Sequence, residues 1–270
     1  MGQKLQMTGD GVKSLNPASL THHNFYGGWG GHFLESGFRG ILEVRLRILD
    51  LFAGTGSATK AFVDRGHEVV RVELDGSFDA DEFDVLDMTP EYIRQKYGQI
   101  DFIWASPPCT AFSVSSIHNY WKRTDEGIVP DNPKTVEALA LVEYTINLIK
   151  GIAPTYGWML ENPRGMLRKQ TLMQKIRRKT ITYCQYGENH MKPTDIWGEH
   201  RWWTPRPMCN PSDTCHEPSP RGKQTGLQRI RDPKIRAMIP YELSWEIATM
   251  LDLHAGVATP VVSSPHETIT

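Results

Sequence analysis

The segment Asp50-Leu51-Phe52-Ala53-Gly54-Thr55-Gly56-Ser57 constrains this chain more than any other. A short apolar run from Ile48 to Phe52 ends in a loop with two glycines, and Ala61, Phe62 and Val63 then follow at helical spacing. Strand, glycine loop and helix in that order open an α/β sheet. The remainder repeats the alternation. His67 to Glu73 reads as a second strand closing on an acid, and Ile100 to Trp104 as a third stopping at Ser106-Pro107-Pro108. Trp158 to Leu160 reads as a strand that ends at Glu161-Asn162-Pro163, with helical spacing before it from Val136 to Lys150. The pattern predicts an α/β fold with a doubly wound, mostly parallel sheet. The unusual residues all fall at strand carboxyl ends, the edge where such sheets build their sites.

The 270 residues suit one core with a small appendage. No run of about 18 apolar residues occurs, which excludes a helical membrane span, and the amino terminus has no apolar signal core, so a cytoplasmic protein is expected. The organisation read from the sequence is a flexible arm or lid over 1–44, a catalytic domain over 45–198 and an irregular segment over 199–236. A helix over 237–255 packs back on the core, and a disordered tail spans 256–270. The net charge of −1 hides an asymmetry: Arg164 to Arg236 holds 16 basic and 6 acidic residues. A basic third on a near-neutral chain suits a polyanion partner beside a separate catalytic body.

Three motifs carry chemistry. The glycine loop lets backbone approach a ligand, and Glu73, 17 residues past Gly56, suits ribose hydroxyls. A dinucleotide site shares these features. The absence of a third glycine, and an acid at Asp50 that repels phosphate and suits a cationic amino acid, favour S-adenosylmethionine. In Pro107-Pro108-Cys109 two prolines fix a rigid turn that presents a thiol, which acts as a nucleophile where nearby positive charge lowers its pKa. Glu161 at another strand end can bring a carboxyl into the same cleft; alone, it reads equally as a cap or an ion-pair partner.

Taken in order, the glycine loop, the acid after the second strand, Pro-Pro-Cys followed by Phe112-Ser113, and Glu-Asn-Pro resemble the cytosine C5-methyltransferase family, over about residues 46–200 and weakly to 253. The resemblance implies the methyltransferase fold and S-adenosylmethionine as cofactor. It assigns Phe52, Gly54 and Gly56 to the cofactor pocket, Glu73 to the ribose, Asp87 to the adenine and Pro107 to the methionine end. Cys109 would add to C6 of a flipped cytosine while Glu161 protonates N3. The family's Q-x-R-x-R segment is altered: Lys192 and Thr194 stand where two arginines hold the base, and a lysine lacks the planar fork. The later Gly-Asn motif is missing.

The family's target-recognition region falls at 201–236, where Arg206, Arg221, Lys223, Arg229 and Arg231 are expected to contact nucleic acid. The resemblance thus implies a compact, monomeric, phage-type modifying enzyme acting on double-stranded DNA in a short sequence context, of the kind found in restriction–modification. The same chemistry on RNA cytosine, an inactive DNA-binding member and an amino-methyltransferase using Ser106-Pro107-Pro108 are the competing readings. Cys209, Cys215 and His216, with Cys184 as a fourth ligand, invite a zinc reading, but they do not follow the C-x2-C spacing of strong zinc motifs; the expectation is no metal and free thiols, with zinc the alternative left open.

Overall fold

A computed structural model describes residues 44–125, 127–218, 230 and 232–257. The expected arm up to residue 43, the tail from 258 and Arg221, Lys223, Arg229 and Arg231 lie outside the described residues. The elements are β1 (Arg47–Leu51), α1 (Lys60–Asp64), β2 (Glu68–Val72), α2 (Pro90–Tyr97), β3 (Phe102–Ala105), α3 (Ile117–Tyr120), β4 (Trp121–Thr124), β5 (Gly127–Pro130), α4 (Pro133–Ile152), β6 (Trp158–Pro163), β7 (Arg178–Thr182), β8 (Pro193–Glu199), α5 (Pro233–Ala237) and α6 (Tyr241–Ala255).

Six strands form one sheet in the order β2-β1-β3-β6-β8-β7, while β4 and β5 make a separate hairpin. The pairs β1–β2, β1–β3 and β3–β6 are parallel, and β8 runs antiparallel to both β6 and β7. The fold class read from the sequence is therefore the one observed. Local chemistry sets the helix limits. Asn132 accepts a hydrogen bond from Thr135 N–H (3.1 Å) ahead of Pro133, and Thr89 does the same for Tyr92 (3.1 Å) ahead of Pro90.

Alternation along the strands divides the core between two faces. Leu49, Leu51, Ile103, Ala105 and Leu160 meet Ile93 of α2 and Val142, Ile146 and Ile149 of α4. Ile48, Phe102, Trp104, Met159 and Ile196 meet Phe62 of α1 and Leu243, Ile247 and Leu251 of α6. Trp203, which follows β8, is fully buried in the second cluster. Gly256 (φ 68°) and Val257, expected in a disordered tail, instead close α6: Val257 N–H donates to the Asp252 carbonyl at 2.9 Å.

A buried charge cluster fastens α6 to the α1–β2 turn. Asp252 accepts from Arg65 Nη2 (2.6 Å) and Nε (2.8 Å) and lies 2.8 Å from His67 Nε2, with all three side chains at most 3% exposed. His67 Nδ1 accepts from Leu46 N–H (3.3 Å), which leaves the ring proton on the nitrogen facing Asp252. Removing one partner of such a pair strands the other charge in the core. Asp252→Ala should lower unfolding free energy by about 3–5 kcal/mol in urea titrations; a loss below about 1 kcal/mol, the range of exposed pairs, would refute the buried clamp.

Candidate active site

The carboxyl ends of β1, β3 and β6 meet at one edge of the sheet, and each supplies one part of the site. At β1 the chain turns through three residues of positive φ, Phe52 (62°), Gly54 (51°) and Gly56 (70°). For phenylalanine that backbone is unfavourable, a strain found where function fixes a loop. Gly56 N–H donates to the Ala53 carbonyl (2.8 Å) to close the turn, and Gly54 N–H donates to Glu73 Oε2 (2.7 Å). Glu73 therefore lies directly beside the loop. A side chain added at Gly54 would meet nothing within 4 Å, so open space faces this backbone.

Asp50 sits beneath the loop. It is fully buried, its Oδ2 accepts from Thr59 Oγ1 (2.6 Å), and its Oδ1 has no partner. Burial pushes its carboxyl up to about 7, against the pull of the Thr59 hydrogen bond and of Arg71. Asp50 thus braces the loop from below. Asp87 ends the single turn Val85–Asp87 and is exposed.

At β3 the Pro107–Cys109 turn is fastened on three sides. Asn162 Nδ2 donates to the Pro107 carbonyl (2.9 Å), which ties the thiol's turn to the strand end that carries Glu161. Phe112 and Ser113 N–H both donate to the Cys109 carbonyl (2.9 Å each). Met166 N–H then donates to the Phe112 carbonyl (2.7 Å), and the neighbouring Gly165 leaves no room for a Cβ against that oxygen. Cys109 itself is half-buried.

Glu161 of β6 is 6% exposed, and Tyr183 Oη donates to its Oε1 (3.3 Å), with Ser106 as a second partner. Burial pushes its carboxyl above the ordinary range, and the Lys192 ammonium pulls it back. Burial and Glu161 likewise push the Cys109 thiol up, while Lys192 and Arg236 pull it down. Lys192, also 6% exposed, has its pKa lowered by burial and raised by Glu161 and Cys109. It adopts a φ of 27°, lies 4.3 Å above the Tyr183 ring and donates to the Arg236 carbonyl (2.8 Å). Thr194 is fully buried and shares a hydrogen bond with the Tyr183 hydroxyl, so it steadies Tyr183.

Cys109, Glu161 and Lys192 therefore form one electrostatic group, with Pro107 in its supporting turn. Sequence reasoning missed Tyr183, read Ser106 only in the turn of the rival amino-methyltransferase and Arg236 only in the basic segment, and left Asn162 without a role. Their only signal was proximity to the quoted motifs. Arg206, expected at the nucleic-acid contact, is engaged by partners within the protein. Its guanidinium pairs with Glu242 and Glu246 (2.8 Å each), donates to the Gln185 carbonyl (2.6 Å) and stacks 4.8 Å over Tyr186. With two carboxylates already on it, Arg206 fixes the loop after β8 to α6.

The donor set fits a nucleoside cofactor with a cationic end. Open backbone at Gly54 stands beside an acidic acceptor, and the buried Asp50 leaves one carboxylate oxygen unpartnered below the loop.

The architecture and this edge define an α/β protein with a glycine loop at one strand end and a thiol at the adjoining one. The family model for C-5 cytosine-specific DNA methylase matches residues 46–187, just over half of the chain, and the chain belongs to that family. It is an S-adenosylmethionine-dependent cytosine-C5 methyltransferase by class. A probable DNA (cytosine-5)-methyltransferase of Frog virus 3 (isolate Goorha) is 29% identical over 175 residues, which cover 63% of this chain and 78% of the relative. Among solved structures, a Spodoptera frugiperda DNMT2 mutant aligns with a TM-score of 0.39 at 16% identity, over 60% of this chain and 53% of that one. S. pombe Dnmt2 methyltransferase aligns with a TM-score of 0.40 at 11% identity, over 60% of this chain and 51% of that one. This chain spans about half the length of those two structures. Among the described residues no helix is long and apolar enough to cross a membrane.

Proposed function

We propose that this chain methylates C5 of cytosine in double-stranded DNA through a covalent adduct of Cys109 at C6, with the target base flipped out of the stack. The shared electrostatics of Cys109, Glu161 and Lys192 beside the Gly54–Glu73 loop carry this reading. C5 of an aromatic cytosine is a weak nucleophile. Addition of the Cys109 thiolate to C6, with Glu161 giving a proton to N3, converts C5 to an enamine carbon. A buried carboxyl held above its ordinary pKa is suited to donate that proton. Lys192 stabilises the thiolate, and Asn162 keeps the two turns in register. When bound, S-adenosylmethionine supplies an electrophilic methyl group; Phe52, Gly54, Gly56 and Glu73 would hold it, with Asp87 at its adenine end. Once C5 carries the methyl group, loss of its proton to solvent breaks the Cys109–C6 bond and releases the thiolate, and N3 returns its proton to Glu161.

Lys192 at the position of a family arginine gives the flipped base a point charge in place of a fork. The exposed Arg164, Lys169, Lys175 and Arg177, together with Arg221, Lys223, Arg229 and Arg231, supply phosphate contacts. Nucleoside mass spectrometry of mixed-sequence DNA and RNA, each incubated with enzyme and S-adenosylmethionine, tests the reading. The expected product is 5-methyl-2′-deoxycytidine. 5-Methylcytidine in RNA alone would move the substrate to RNA, and N4-methylcytosine or N6-methyladenine would overturn the thiolate chemistry.

A further inference from the structure

Three thiols and one imidazole converge outside the active site. Cys184 lies on the single turn Tyr183–Tyr186 that follows β7, whereas Cys209, Cys215 and His216 belong to the irregular stretch after Trp203. One ligand atom from each lies within 4.8 Å of every other. The contacts are Cys184 Sγ to Cys209 Sγ at 3.1 Å and to Cys215 Sγ at 3.6 Å, and His216 Nδ1 to Cys215 Sγ at 3.6 Å and to Cys209 Sγ at 3.8 Å. Four ligands at about 2.0–2.3 Å from a tetrahedral zinc stand roughly 3.5–3.8 Å from one another. Three of these four distances meet that spacing, and the Cys184–Cys209 pair must open by about 0.7 Å to reach the ~3.8 Å of two zinc-bound sulfurs.

The surrounding chain gives a second reason. From Thr204 to Pro218 there is no helix or strand, and Met208, which is exposed, is the sole large aliphatic side chain in that stretch. Yet Cys209 and His216 are only 5% and 6% exposed, and the cluster's apolar company is Met191. Backbone bonds from Cys209 N–H to Thr182 Oγ1 (3.1 Å) and from Glu217 N–H to the Asn189 carbonyl (2.7 Å) hold the two ends against the catalytic body. A segment that cannot build its own core is commonly fixed by a cross-link or a metal. A disulfide would use two of the three sulfurs and leave the third, with the imidazole, unexplained. The soft, sulfur-rich set of four selects zinc.

We propose that Cys184, Cys209, Cys215 and His216 form a structural zinc site that fastens the segment after β8 to the turn carrying Tyr183. The three thiols bind as thiolates, their protons passing to solvent, and neutral His216 binds through Nδ1. The closed set of four leaves no position for substrate, so the ion has no part in methyl transfer. Its role is positional: Cys184 directly follows Tyr183, whose hydroxyl donates to Glu161.

Elemental analysis of the full chain, purified without chelator, tests this without reference to activity. About one zinc per chain is expected, in the 1:1 ratio of a single tetrahedral site. Cobalt substitution should give the intense visible bands of a tetrahedral thiolate site. Cys215 is exposed, so Cys215→Ser should fold, as checked by circular dichroism, and lose zinc to a chelator by more than the ~10–100-fold that loss of an outer partner costs. His216→Ala should behave likewise, while Cys109→Ser should retain the metal. Metal-free protein with four titratable thiols, a Cys184–Cys209 disulfide in peptide mass spectra, or unchanged zinc in Cys215→Ser would each overturn the proposal.

Discussion

DNA whose target cytosine carries fluorine at C5 should become covalently joined to this protein, and Cys109→Ala should abolish both the joining and turnover. Normal turnover ends when C5 loses a proton and the Cys109–C6 bond breaks. Fluorine cannot leave as a cation, so the adduct persists and survives denaturation. The bond needs a thiolate, and Cys109 begins at a disadvantage, because burial and Glu161 hold its thiol above the ordinary value. Lys192 and Arg236 offset this, and the two prolines before Cys109 hold the sulfur at the strand end without a search through conformers. Methyl transfer by Cys109→Ala should fall by about 10⁴-fold or more, the scale on which nucleophile removal acts in other covalent catalysts. Digestion of the trapped complex should locate the base on the peptide bearing Cys109. Trapping that persists in Cys109→Ala, or activity within tenfold of the parent, would end the covalent reading; Cys184, Cys209 and Cys215 lie together in a different cluster.

What the sequence disclosed and what it hid follow from the range of the interactions. The glycine loop, the Pro-Pro-Cys turn and the Glu-Asn-Pro end are set by neighbours within a few residues, so β1, β2, β3 and β6 were readable. The strands β7 and β8 were not. Their pattern mixes Lys, Thr, Pro, Asp and Gly, and their stability comes from partners elsewhere: Asp195 of β8 is fully buried because Arg168 and Arg178 come to it. The hairpin of β4 and β5 was likewise hidden in a polar stretch anchored by Trp121, whose indole N–H donates to the Ala111 carbonyl at 2.6 Å. The basic third misled in one respect. Arg168, Lys192 and Arg206 are turned to partners inside the protein, so counting charges overstated the surface left for a polyanion. The cysteine–histidine cluster, Cys184 included, was legible as residue types but not as a site, because their irregular spacing says nothing of which thiols the fold brings within contact.

Replacing Glu161 by glutamine should change the shape of the pH profile as well as the rate. Reaction requires Glu161 protonated and Cys109 ionised, the reverse of the ordinary order of a carboxyl and a thiol. The reactive arrangement and its inverse, Glu161 ionised and Cys109 protonated, hold the same number of protons. Their ratio is therefore independent of pH, and kcat/KM for the parent should be flat-topped. Its acid limb breaks where Glu161 titrates and its alkaline limb where Cys109 does, so the raised pKa values of both groups move the whole plateau upward. Glutamine still offers N–H to N3 but transfers no proton, so the rate should drop about 10²–10⁴-fold. It also does not titrate. In Glu161→Gln the plateau should vanish, and kcat/KM should climb through neutral pH until the Cys109 thiol is ionised. Loss of the Glu161 charge, which raises the thiol, should also move that break to lower pH than in the parent. A Glu161→Gln enzyme that stays flat-topped would remove Glu161 from the proton transfer and leave it a positioning role, whereas a climbing profile is the signature of the lost acid.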